Sequence, residues 1–117
     1  MRRISFLLLL MIMTTLYSMA GQADDAPFWT GQPDAATFTR IQDERISKAQ
    51  QTLDRMLAVK GKRTIENTLK PYDEISTYLD AAGQQAGLIQ EVHPDENVRQ
   101  TAEKVSQKVQ AFLTDLS

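Results

Sequence analysis

The stretch DENVRQTAEKVSQKVQAFLTDL, residues 95–116, decides the fold. Within it Val98, Ala102, Val105, Val109, Phe112 and Leu116 recur at alternating steps of four and three. On a helix of about 3.6 residues per turn, that spacing puts all six on one face. Such a seam belongs to a coiled coil or an antiparallel bundle. Pro94 suits a first helical turn, and Asp95 and Glu96 sit where the positive end of the helix dipole favours acids. No Gly, Pro or basic turn closes the pattern after Leu116, so the chain is expected to be a truncated piece of something longer.

Working back toward the amino terminus, His93-Pro94-Asp95 interrupts a second amphipathic run through Ile65, Leu69, Tyr72, Ile75, Leu79, Ala82, Ala86 and Ile89. Thr64 can accept an orphan amide hydrogen bond at its start. Pro71 falls inside this run, where it removes a backbone bond and predicts a kink. Ala81, Ala82, Gly83, Ala86 and Gly87 cost helix propensity but allow another helix to approach closely. A first helix is expected over about Ala35 to Lys60, from Phe38, Ile41, Ile46, Ala49, Leu53, Met56 and Leu57. Lys60 and Lys62 would complement its dipole, and Gly61 can take the left-handed conformation that stops it. The expected fold is all-α, with long amphipathic helices in an antiparallel hairpin or bundle. Its last two helices should pair through Leu69, Tyr72, Ile75 and Leu79 against Val98, Val105, Val109 and Phe112.

At the other end, Met1-Arg2-Arg3, the apolar run through Met13 and the small residues to Ala20 have the layout of a secretory signal peptide. A retained membrane helix wants about 20 predominantly apolar residues, and Thr14, Thr15 and Ser18 dilute this one. Cleavage after Ala20 or after Ala23 fits equally. The expected organisation is a signal peptide at 1–20, an extended leader at 21–34 broken by Pro27, Gly31 and Pro33, and a helical segment at 35–117. Phe28-Trp29 in the leader reads as an anchoring apolar pair. Export would deliver a periplasmic or secreted protein with no membrane attachment after cleavage. The chain contains no cysteine, hence no lipid-accepting residue, disulfide or thiolate metal site. Its 13 basic and 15 acidic residues become 11 and 15 once Arg2 and Arg3 leave, a net charge of −4. That mildly acidic balance argues against a nucleic-acid partner, which needs a basic face.

The search for chemistry ends without a site. Catalytic zinc in a peptidase needs paired histidines one helical turn apart with a glutamate between them, and this chain has a single histidine. His93, before a proline at a helix boundary, reads as a capping or exposed residue. The acidic pairs Asp24-Asp25, Asp43-Glu44, Asp73-Glu74 and Asp95-Glu96 diverge by about 100 degrees on a helix and do not face one another. There is no nucleophile elbow and no phosphate-binding glycine loop. No catalytic, cofactor-binding or metal-binding residue is therefore assigned. A haem bundle with Met56 and His93 as axial ligands is a poor third reading, because His93 stands at a helix edge.

The segment from Arg63 to Ser117 nevertheless resembles the N-terminal region of zinc metallopeptidases of the thimet oligopeptidase and oligopeptidase A type. The pieces that carry the resemblance are Thr64-Ile65-Glu66-Asn67-Thr68-Leu69, similar to that family's T-x-E-N-T helix opening, and His93-Pro94-Asp95 through Val98-Arg99 and Ala102-Glu103 to Phe112 and Leu116-Ser117. They cover about half of the chain. The resemblance implies an all-helical, two-lobed enzyme in which such helices wall a narrow channel that admits short peptides. Zinc would be held by H-E-x-x-H and a downstream glutamate in the remainder of the peptidase chain. None of those positions exists here, so what transfers is structural: Thr64 and Pro94 as helix starts, and the helices as wall. This segment alone is expected to be inactive. The alternative is a stand-alone exported helical bundle that binds a protein partner.

Overall fold

The computed structural model describes residues 33–116; the expected signal peptide, its cleavage sites, most of the leader with Phe28-Trp29, and Ser117 lie outside the described residues. Three α-helices follow one another: α1 Ala35–Leu57, α2 Lys70–Val92 and α3 Glu96–Leu116, with a π-helical turn Ile65–Leu69 leading into α2. The described residues contain no strand, and the all-α expectation holds.

α1 begins where the Asp34 carboxylate accepts the Thr37 amide at 2.7 Å, satisfying one of the orphan donors of a helix start. It ends at Leu57, short of the expected Lys60. The Ala58 amide still reaches the Asp54 carbonyl at 3.0 Å, and the Val59 amide then turns to the Met56 carbonyl at 3.4 Å. The cation that finishes the helix is neither Lys60 nor Lys62: the Arg63 guanidinium donates to the Met56 carbonyl at 2.6 Å. Gly61 has a φ of 99°, the left-handed conformation expected of it, in the connection just past the helix.

Thr64 opens the next element as expected. Pro71 behaves differently from expectation: it stands in the first turn of α2 instead of its interior. Proline gives no amide, and its ring presses on the carbonyl four residues back. A π turn widens the backbone just before it, with the Lys70 amide reaching back five residues to the Ile65 carbonyl. At the far end the His93 amide closes α2 on the Ile89 carbonyl at 3.1 Å. α3 starts at Glu96, because the Asp95 carboxylate takes the Asn97 amide at 2.8 Å. Pro94 therefore precedes the cap, where a helix start had been expected.

The helices run up, down and up. Gln42 bonds to Gln85 while Arg55 approaches Glu74, which makes α1 and α2 antiparallel. A Cβ added at Gly83 would lie 3.5 Å from Val109 Cγ1, so the small residues of α2 do let α3 approach closely. Lys108 of α3 reaches Asp43 of α1 at 2.7 Å. The core is built from Ile75, Leu79, Ala82, Ala86 and Ile89 of α2, Val98, Ala102, Val105 and Val109 of α3, and Phe38 and Ala49 of α1.

Part of the expected α2 stripe does not join that core. Ile75 and Leu79 are buried, but Leu69 is 61% and Tyr72 54% exposed. At about 100 degrees per residue, successive steps of three carry Tyr72 about 60 degrees and Leu69 about 120 degrees away from Ile75. Phe112, expected among the pairing residues, packs on the core only half-buried.

Candidate interaction face

The segment from Thr64 to Thr68 is tied by several local hydrogen bonds. Thr64 Oγ1 accepts the Asn67 amide at 3.2 Å, and Asn67 Oδ1 accepts the Thr64 amide at 2.8 Å. The same Asn67 donates from Nδ2 to the Lys62 carbonyl at 3.1 Å and accepts the Thr68 hydroxyl at 2.7 Å. One side chain thus ties the connection, the cap and the π turn together.

That rigid turn presents apolar groups to solvent. Ile65, Leu69 and Tyr72 are each more than half exposed, at steps of four and three that align them on one side of the chain. Leu57, at the end of α1, is 64% exposed. Single exposed apolar residues are ordinary, whereas several close together make a candidate interaction face.

Beside it, a groove runs between the end of α1 and the start of α2. Two adjoining cavities of about 360 and 540 Å³ share Thr52, Arg55 and Glu74. The Arg55 guanidinium donates to the buried Thr52 hydroxyl at 2.8 Å and lies 3.8 Å from the Glu74 carboxylate. Lys70 lies 3.8 Å from Glu66 at one end of the groove. These are exposed, mutually neutralised charges, which contribute little to stability and leave neither sign in excess.

Sequence reasoning assigned no site residues. Among the described residues no group of three or more His, Cys, Asp or Glu side chains could hold a metal ion. No described helix is long and apolar enough to cross a membrane. His93 takes a capping part, its Nδ1 accepting the Asp95 amide at 3.1 Å, which puts the ring proton of a neutral imidazole on Nε2. Nε2 is buried with no hydrogen-bond partner among the described residues. Arg99 supports the same turn through the His93 and Pro94 carbonyls at 2.7 and 3.0 Å. Met56 lies at the opposite end of the bundle from His93, beside Pro71. The 23 residues of α2 span about 34 Å at 1.5 Å per residue, too far for a shared haem.

Sequence reasoning missed the polar cluster inside the bundle. Gln42, fully buried, donates from Nε2 to Gln85 Oε1 at 2.9 Å and accepts Arg45 at Oε1 at 3.0 Å; Arg45 also bonds to Gln85 Oε1. The available signal was geometric: Phe38, Gln42, Arg45, Ala49, Thr52 and Met56 follow one another at steps of four and three, whereas a count of apolar residues alone skips half of them.

Compared with known proteins, the chain matches no family model, no curated protein and no solved structure.

Proposed function

We propose that this chain is the N-terminal helical part of an exported zinc metallo-oligopeptidase, supplying channel-wall helices and no catalytic group. The observation that carries the reading is the rigid apolar face of Ile65, Leu69 and Tyr72, set on the segment whose T-x-E-N-T pattern resembles that family. In this reading the remainder of the peptidase chain covers the face, and short peptides are substrates of the whole enzyme. Export, to the periplasm or outside the cell, rests on the signal-like residues 1–20. Among the described residues no side-chain group fits a zinc site, so hydrolysis is not routed through them. Reading the coding sequence past Ser117 tests the proposal: an open frame reaching an H-E-x-x-H helix supports it, and an immediate stop overturns it.

A second reading, a stand-alone exported bundle that binds a protein partner, is favoured by one observation. Phe38, Ile75, Leu79, Val98 and Val105 are no more than 1% exposed, so side chains from all three helices meet in one well-buried core. Under this reading the Ile65, Leu69 and Tyr72 face receives a separate polypeptide. A stop codon after Ser117, together with a sharply melting monomer, would select it.

A further inference from the structure

The α1–α2 and α2–α3 connections lie at opposite ends of the 23-residue α2, and they carry opposite charge. From Ala58 to Thr64 the chain has Lys60, Lys62 and Arg63 and no acid; from Glu91 to Glu96 it has Glu91, Asp95 and Glu96 and no Lys or Arg. All six are exposed, and none of them joins an ion pair among the described residues. Arg63 and Asp95 do make hydrogen bonds, but to the Met56 carbonyl and the Asn97 amide, neutral groups that leave their charge in place. The helix ends gathered at each tip offset roughly half a charge there, too little to change either sign. A near-neutral total thus conceals a bundle that is basic at one tip and acidic at the other.

Each tip also exposes aliphatic side chains. Leu57, 64% exposed, and Ile65, 59% exposed, flank the basic connection. Leu88, 48% exposed, and Val92, 63% exposed, stand one helical turn apart just before the acidic one. An apolar patch by itself names no partner. Here the complement of each tip, in charge and in apolar character, is the other tip of the same molecule.

We infer that the basic tip of one copy of this chain receives the acidic tip of a second copy, with Leu57 and Ile65 meeting Leu88 and Val92 between opposite charges. The inference rests on the second reading above, in which a separate polypeptide meets this end of the bundle, and it names that polypeptide. The contact is heterologous, so a copy joined through one tip keeps the other free to add more copies. It is also small. Helices of about 10 Å diameter give a three-helix tip some 20 Å across, roughly 300 Å² per copy against the ~800 Å² per partner of a stable complex. Association is therefore weak and strongest at low salt.

Sedimentation velocity on the chain as recovered from an exporting cell tests this. The parent should run as a monomer when dilute and form species beyond the dimer near about 1 mM in about 20 mM salt, reverting toward monomer in about 0.5 M salt. One variant carries Lys60→Glu and Lys62→Glu, the other Glu91→Lys and Glu96→Lys, all at exposed positions. Arg63 and Asp95 stay, because they hold helix ends. Each variant alone should associate about ten-fold or more weakly than the parent, since its two tips now share a sign. Mixed, the two variants retain one unaltered basic tip and one unaltered acidic tip between them. They should therefore recover association and stop at a one-to-one pair. Glutamine at the same four positions should give intermediate weakening, and circular dichroism should show parental helix throughout.

A parent that stays monomeric at about 1 mM in low salt overturns the inference, and with a sharp melt it leaves the stand-alone reading in place with a different partner. Variants that associate as well as the parent, or a mixture no more associated than its components, overturn it too. So does a monomeric parent that sediments with phosphatidylglycerol vesicles through Lys60 and Lys62, which would give the basic tip to a membrane surface.

Discussion

Thr64 and Asn67 hold each other's backbone amides, at 2.8 Å onto Asn67 Oδ1 and 3.2 Å onto Thr64 Oγ1. This reciprocal cap usually closes with Glu or Gln at the third position; here the shorter Asn67 closes it and reaches the Lys62 carbonyl as well. Thr64→Ala should cost about 0.5–2 kcal/mol in chemical denaturation. Asn67→Ala should cost at least as much, since it releases bonds on both sides of the cap. A double-mutant cycle should show the two substitutions coupled, and strictly additive effects would mean the bonds are not made in solution.

The core predicts an order of sensitivity. Leu79 is 1% exposed among Ile75, Ala82 and Val109, so Leu79→Ala should cost about 2–5 kcal/mol. Phe112 is half-buried at the edge of the same cluster. Phe112→Ala should then fall below the roughly 3 kcal/mol at which full phenylalanine burial starts. Urea midpoints at constant slope check this ranking, and a larger loss at Phe112 would invert it.

The outer face should be dispensable to the fold. Leu69→Glu changes a side chain that is 61% exposed, so its stability effect should stay within about 0.5 kcal/mol. The same substitution should reduce binding of a dye that reports exposed apolar surface. A stability loss beyond about 2 kcal/mol would place Leu69 in the core instead.

Acid should loosen the start of α1. The Thr37 backbone amide, and then its side chain, hold the Asp34 carboxyl below the usual carboxylate range. A depressed folded value means the cap's contribution is present above the ordinary aspartate range and is lost as pH falls through the folded value. The Thr37 amide proton, followed by NMR, should titrate with a midpoint below that of Asp34 in an unfolded peptide. An equal or higher midpoint would remove the cap from the account.

The three helices were legible because each carries a 3.6-residue apolar period with punctuation at its ends: Thr64, Gly61 and the His93-Pro94-Asp95 break all lie at helix boundaries. Boundaries moved where a particular hydrogen bond decided them, as at Arg63 and Asp95. The exposed Leu69 and Tyr72 were misassigned because steps of three drift around the helix, which a list of spacings conceals. Gln42 and Gln85 were invisible to a reading that followed apolar residues, since only their partners across the bundle reveal that they belong inside. The face around Ile65 was legible as hydrophobic; that it points outward is a tertiary fact.

Gly61 has one more consequence. Its φ of 99° and the open space around it, with nothing within 4 Å of an added Cβ, mean that the strain of substitution there is one of chirality and not of crowding. L-alanine would oppose the backbone at this point. Its mirror image, D-alanine, introduced by chemical ligation, would find the dihedral in its own favoured half of the map and restrict the unfolded chain. The D-variant should therefore melt above the parent and the L-variant below it, so one carbon atom placed on either hand would read out the handedness of the turn.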